Sequence, residues 1–291
     1  MGLRDWYDLV RFEHGVMWGL CVLIGEFLAY EGVPSTKPLL LGFFVPIFTE
    51  MGAFALNDYA DYEKDKINKR MDRPLVRGTI KREHALIVAV VTLAAAFILG
   101  LMFVGKAFVI LVVFLTLGVL YDIKLKQYSA LKNLTLALCV AIPFPAGNII
   151  IQDTIVPMVW FITVVAFIVG FGREVMKDLM DIEGDRATGV KTFPMIFGER
   201  ASALLVVILY IATALLTLPP FFLRISDIYY HNTVYGAIIL ATDALLLYTC
   251  YLLGFKLSLE TVKRCRTYTW LAMIVAVLGF FVPLVIHFWG G

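Results

Sequence analysis

Long apolar runs alternate with short polar stretches along the whole chain. The apolar segments fall at about 15–31, 38–57, 84–104, 106–121, 131–151, 155–177, 200–223, 233–254 and 267–288. Most are close to the ~20 residues an α-helix needs to cross ~30 Å of hydrocarbon. The pattern predicts an all-α, polytopic membrane helix bundle of about nine transmembrane helices. Its weakest boundary is Gly105-Lys106, where two spans meet almost without a loop and the fourth span is short, so eight or ten helices stay open. Pro143, Pro145 and the Gly147-Asn148 pair predict either an opening in the fifth span or a close packing surface there. The longest polar stretch, about 26 residues between the second and third spans, holds no Pro/Ser/Gly-rich linker, and residues 1–291 read as a single membrane domain.

Composition agrees, with 60% hydrophobic and 16% charged residues and a mean hydropathy of +0.85, where soluble domains carry about 25% charged residues. The distribution of charge adds orientation. Of the 25 Lys and Arg residues, 22 fall on one side of the nine-span scheme, and Lys37, Lys106 and Arg224 on the other. The basic side is the cytoplasmic one, which predicts a cytoplasmic N-terminus and an external C-terminus. The first span shows no small-residue cleavage pattern at its end and is expected to be retained. Cys21, Cys139, Cys250 and Cys265 are solitary and the four His residues are scattered, so neither a disulfide framework nor a zinc site is implied. Nothing in the chain calls for a nucleic-acid partner.

One pattern does not fit a bland bundle. The string Asp58-Tyr59-Ala60-Asp61-Tyr62-Glu63-Lys64-Asp65 returns 120 residues later as Asp178-Leu179-Met180-Asp181-Ile182-Glu183-Gly184-Asp185, with all four acids in register. Each copy ends a long apolar segment, and both lie on the predicted cytoplasmic face. Spacings of three and four put Asn57, Asp58, Asp61 and Asp65 on one helical stripe, and Glu174, Asp178, Asp181 and Asp185 on another. Like charges stacked this way repel, so the stripes call for a cation. The repeat also suggests two halves of about four helices with the same orientation, binding between them, and a ninth helix outside the repeat.

Clustered carboxylates suit a hard divalent ion, and Mg²⁺ takes one or two carboxylates together with substrate phosphate and water. Two facing stripes therefore suit a bridged ligand such as a diphosphate, whose growing charge a metal would stabilise on departure. Lys69, Arg73, Arg77, Lys177, Arg186 and Lys191 are candidates to bind that diphosphate. Each also satisfies the positive-inside rule, so either duty remains open. A Walker-type loop and a GxSxG elbow are absent.

Asn57-Asp58-Tyr59-Ala60-Asp61-Tyr62-Glu63-Lys64-Asp65 resembles the NDxxDxxxD signature of the UbiA superfamily of intramembrane prenyltransferases, and Asp181-Ile182-Glu183-Gly184-Asp185 its second DxxxD motif. Asp72-Arg73-Pro74-Leu75-Val76-Arg77-Gly78 and Gly189-Val190-Lys191-Thr192-Phe193-Pro194 resemble two further family segments. The resemblance implies transfer of a polyprenyl group from its diphosphate to a lipophilic acceptor in the bilayer, with both Asp-rich motifs (57–65 and 178–185) on the cytoplasmic side of a central cavity. Carried over by position, Asn57, Asp61, Asp65, Asp181 and Asp185 would hold two Mg²⁺ ions, with Asp58 and Asp178 as further candidates on the same stripes. Tyr121 and Tyr128 would stabilise an allylic cation with their ring faces or cover the site; interfacial anchoring explains them equally well. Arg11 would face the cavity and act on the substrate as a catalytic residue. Glu50, two turns deeper than Asn57, would position the acceptor, accept its proton, or serve structure.

The stretch Arg173 to Asp185 looks most like the archaeal ether-lipid branch, in which geranylgeranyl passes to a hydroxyl of geranylgeranylglyceryl phosphate, and Lys177 would then help bind the acceptor's phosphate. An aromatic acceptor of the quinone-pathway kind is the alternative. A secondary transporter would hold its coupling acids near the bilayer midplane rather than at helix ends. The CDP-alcohol phosphotransferases would need a DGxxAR segment that this chain lacks.

Overall fold

Backbone groups in hydrocarbon must bond within their own segment, so each apolar run winds into a helix. The computed structural model describes residues 2–67, 69–123, 129–182, 186 and 192–290. In chain order the helices are α1 (Leu3–Val10), α2 (Phe12–Tyr30), α3 (Thr36–Ala60), α4 (Tyr62–Ile67), α5 (Pro74–Arg77), α6 (Arg82–Gly100), α7 (Lys106–Ile123), α8 (Ser129–Ala141), α9 (Pro143–Ile151) and α10 (Pro157–Asp178), followed by α11 (Phe193–Phe197), α12 (Glu199–Thr217), α13 (Pro219–Phe222), α14 (Thr233–Phe255) and α15 (Leu259–Trp289).

Among the described residues, seven segments are long and apolar enough to cross a membrane, and the bent pair α8–α9 makes an eighth. The bend is 43° and falls where Pro143 enters the second helix without a backbone N–H to donate. The fourth apolar segment is a helix too, but its apolar part, Lys106–Tyr121, is shorter than the others. The difference from nine thus lies in the segment whose length was marginal in the sequence. The short N-terminal helix α1 was not predicted. It turns Leu9, fully buried, onto Ala55, Leu75 and Ile80.

Each acid-bearing helix is flanked by its predecessor and its successor, α3 by α2 and α6, and α10 by α8 and α12. Helices α14 and α15 pair with each other. The alternation of directions brings the start of α2, the end of α3, the start of α8, the end of α10 and the start of α15 to one end of the bundle, where both acidic strings lie.

The tightest crossing is between α2 and α9. Gly25 lies against the Phe144 carbonyl with Asn148 N 2.9 Å from where a Cβ would stand, and Gly147 lies against the Val22 carbonyl. Small residues let membrane helices approach to backbone contact, so Gly147 serves packing rather than an opening. Its neighbour Asn148 fastens the following turn, donating to Gln152 O at 3.1 Å and Thr154 O at 3.0 Å while accepting from Val156 N at 3.0 Å. Replacing Gly147 with Val is expected to cost about 1–3 kcal/mol or more through overpacking. Thermal unfolding in detergent checks this, with Gly254→Ala, where a Cβ meets nothing within 4 Å, as the variant that should unfold like the parent.

Candidate functional site: two acidic strings at one mouth

The first string keeps the helical register that its spacing predicts. Asp61 ends α3, yet its N–H still reaches Asn57 O at 2.8 Å, and Asp65 N reaches Asp61 O at 2.8 Å, so the ladder runs through the turn into α4. Asn57 Nδ2 donates to Asp61 Oδ2 at 3.2 Å. Asp65 is buried; burial pushes its carboxyl up to about 6, with the charge of Arg70 offsetting part of the effect. Arg82 stacks over Tyr59 at 4.5 Å and Tyr62 at 5.6 Å and donates to Tyr59 O at 3.2 Å, which clamps the string to the start of α6.

Asp58 has a different duty. Its carboxylate is fully buried, and Oδ1 accepts from Arg11 Nη2 at 2.7 Å and from Arg73 Nη1. Arg73 Nε also lies 3.7 Å from Asp65 Oδ2. Arg11 and Arg73 are therefore bound into the wall of the mouth through Asp58.

The second string repeats the arrangement. Asp178 is buried and accepts from Lys132 Nζ at 2.6 Å and Asn133 Nδ2 at 2.7 Å. Both donors sit in the first turns of α8, just as Arg11 adjoins the start of α2. The repeat is thus structural as well as sequential: in each half, the buried aspartate of the acidic helix is tied to a cation at the start of the preceding span, α2 or the bent pair α8–α9. Beyond Asp178 the chain tightens into three-residue bonds, Leu179 N to Met176 O at 3.2 Å, Met180 N to Lys177 O at 2.9 Å and Asp181 N to Asp178 O at 3.3 Å. Asp181 is half-buried. Glu174, on the same stripe, takes Lys177 Nζ with both oxygens at 2.8 Å.

The basic residues expected to face a diphosphate divide. Arg77 points away: its Nη2 meets Asp8 Oδ2 at 2.7 Å and Asp5 Oδ1 at 3.2 Å, fastening α1 to the loop. Its ion pairs raise its pKa, the hydrogen bond to Asp8 most. Lys177 is engaged by Glu174. Lys69 is exposed at a left-handed turn, and Arg186 is exposed. A residue the sequence left unmarked, Arg70, holds Asp72 in a fork at 2.9 and 2.8 Å, keeping that carboxyl below its usual range. Arg70 also feels the charge of Asp181, so the loop after the first string reaches toward the second. Tyr121 is half-buried in the last turn of α7. Tyr128, Asp185 and Lys191 lie outside the described residues.

Inside the mouth, cations and rings form a continuous floor. Arg11 Cζ lies 4.3 Å from the Phe54 ring centre, and His14 meets Phe54 edge-on at 5.1 Å and stacks on Trp270 at 3.9 Å. Arg173 Cζ lies 5.5 Å from the same indole. Glu50 is buried in α3 within the field of Arg11. Below the floor are two apolar cavities that share Trp18 as a wall. One lies among α2, α3, α7 and α9; the other includes Met17, Val169, Met273 and Phe280 in its lining. His14, Lys132, Asn133, Arg173, Arg266 and Trp270 went unmarked in the sequence because they come from four distant helices and carry no spacing in common.

The family model described as the UbiA prenyltransferase family matches residues 19–253. The chain belongs to that family. It is accordingly a prenyltransferase and an integral, multi-pass membrane protein. Among its UbiA relatives, the digeranylgeranylglyceryl phosphate synthase of Archaeoglobus fulgidus is 34% identical over 279 residues, covering 96% of this chain and 94% of the relative. The enzyme of that name from Pyrococcus furiosus is 36% identical over 220 residues, covering 76% of this chain and 78% of the relative. A solved structure concerned with digeranylgeranylglyceryl phosphate synthase in membranes aligns at TM-score 0.71 and 26% identity, over 97% of this chain and 98% of the other. A UbiA homologue from Archaeoglobus fulgidus bound to DMAPP and Mg²⁺ shares the fold at TM-score 0.69 and 19% identity, over 97% and 99% of the two chains.

Proposed function

We propose that the protein transfers a geranylgeranyl group from its diphosphate to the free hydroxyl of geranylgeranylglyceryl phosphate, forming an ether bond of a membrane lipid. The observation that carries this reading is the pair of matched acidic strings at one charged mouth above two apolar cavities. The names of the relatives support the acceptor.

The residues present fit Mg²⁺. Asn57, Asp61, Asp65 and Asp181 offer oxygen donors, the kind a hard divalent ion takes. That suits an ion completed by diphosphate oxygens and water. We assign Asn57, Asp61 and Asp65 to one ion and Asp181 and Asp185 to a second. When bound, the ions neutralise the charge that grows on the departing diphosphate. Asp58 and Asp178 hold the walls by their ion pairs instead. Arg70 and Arg73, each with guanidinium N–H donors left over from its carboxylate pair, face the diphosphate, with Lys191 as a further candidate. As the allylic C–O bond breaks, Tyr121 and Tyr128 shield the cation with their rings. The acceptor oxygen then bonds to the donor's first carbon, and its proton passes to Glu50. We place the mouth and N-terminus on the cytoplasmic side, which the skew of Lys and Arg supports.

The test is an assay of purified protein with labelled geranylgeranyl diphosphate, Mg²⁺ and a panel containing geranylgeranylglyceryl phosphate and several aromatic acids. The expected product is the double ether from the glycerol phosphate. Product from an aromatic acid alone overturns the acceptor assignment.

A further inference from the structure

Most cations at the mouth are already neutralised. Arg11, Arg70, Lys132 and Lys177 each hold a carboxylate oxygen at 2.6–2.8 Å, and Arg73 holds Asp58. Arg173 and Arg266 do not follow this rule. The carboxylate nearest Arg173, Glu174 Oε1, is 3.8 Å away and is taken by Lys177 at 2.8 Å. The Arg173 side chain is 14% exposed, and its Nε is buried with no hydrogen-bond partner. Arg266 makes no hydrogen bond or ion pair among the described residues, and the charges of Arg70, Arg173 and Arg11 all act on it. Arg173 is thus left with a weak share of Glu174, and Arg266 with the attraction of Asp72 against the repulsion of three arginines.

Their position says which anion would suit them. Arg173 is five residues before Asp178 in α10, hence about 7 Å further into the bundle, away from the carboxylates assigned to metal and diphosphate. Arg266 is one turn before Trp270 on the same face of α15, and Trp270 is the ring over which Arg173 lies. The two arginines thus flank one indole on neighbouring helices. Directly beyond them, the same helices line the second apolar cavity, α10 through Val165 and Val169 and α15 through Met273 and Val277. A ligand for this place has an anionic head and an apolar tail.

We propose that Arg173 and Arg266 bind the phosphate of the acceptor, a phosphomonoester on a glycerol ether, with the acceptor's isoprenoid chain in the cavity that Val169 and Met273 line. This rests on the acceptor proposed above and moves its phosphate from Lys177, which Glu174 occupies, to a separate site. Guanidinium forks suit a phosphate through paired charge-assisted hydrogen bonds.

The experiment is steady-state kinetics of the purified full chain with Arg173→Gln and Arg266→Gln, varying geranylgeranyl diphosphate, geranylgeranylglyceryl phosphate and the phosphate-free geranylgeranylglycerol. Each variant is expected to raise KM for the glycerol phosphate about tenfold, the scale of a lost charge-assisted contact. Donor KM should stay within about twofold, and the phosphate-free acceptor should react alike with parent and variants. An unchanged acceptor KM overturns the site, and so does a rise in donor KM in its place. If Arg173→Gln fails to fold, Arg266→Gln, at an exposed residue, carries the test. A parent protein that uses no glycerol phosphate acceptor refutes the proposed function itself, and the phosphate site falls with it. A parent that uses that acceptor, with variants indifferent to its phosphate, refutes the site alone.

Discussion

Asp61→Ala and Asp181→Ala proteins are expected to insert and fold like the parent while losing Mg²⁺-dependent release of diphosphate by at least about a hundredfold. The size follows from the several kcal/mol by which a metal stabilises leaving-group charge. Both side chains are only half-buried, so their removal opens little space and the bundle keeps its packing. The loss should appear in kcat, because the interaction strengthens as charge moves onto the diphosphate. Release of labelled diphosphate against Mg²⁺ concentration measures it, and near-parental turnover in either variant removes that residue from the metal assignment.

Asp58→Ala and Asp178→Ala should fail in another way. Their carboxylates are 0% and 1% exposed and neutralise Arg11 with Arg73, and Lys132, respectively. Removing one partner of a buried pair leaves a stranded charge and costs about 3–5 kcal/mol. Because the cations keep 14–19% of their side-chain surface exposed, the low end of that range is expected. The thermal midpoint in detergent should fall well below those of the Asp61 and Asp181 variants. Unchanged midpoints, with activity lost, would return Asp58 and Asp178 to the metal-binding set.

The contrast between these pairs marks how far the sequence could be read. Hydropathy located every long helix, since an apolar run in hydrocarbon has few alternatives to a helix. Three- and four-residue spacing placed Asn57, Asp61 and Asp65 on one face, and the ladder through Asp61 bears this out. Spacing did not separate Asp58 from Asp61, because the difference lies in what each meets: Arg11, 47 residues away, and Arg73 for Asp58, and Asn57 for Asp61. Arg77 looked like a diphosphate ligand beside Arg73, yet its partners are on α1, a helix too short and polar to stand out. Arg173 and Arg266 resembled ordinary charges at span ends. They stand out as the least neutralised cations described at the mouth only when α10 and α15 are brought together around Trp270.

A diphosphate held through a divalent ion at the two acidic strings is the core of the proposed reaction. The direct test is calorimetric titration of the parent protein with a non-reactive thio analogue of geranylgeranyl diphosphate, in Mg²⁺ and in EDTA, beside Asp61→Ala. Tight binding by the parent in Mg²⁺, weakened by at least about tenfold in EDTA and in the variant, is the predicted result. Equal affinity under all three conditions would contradict it.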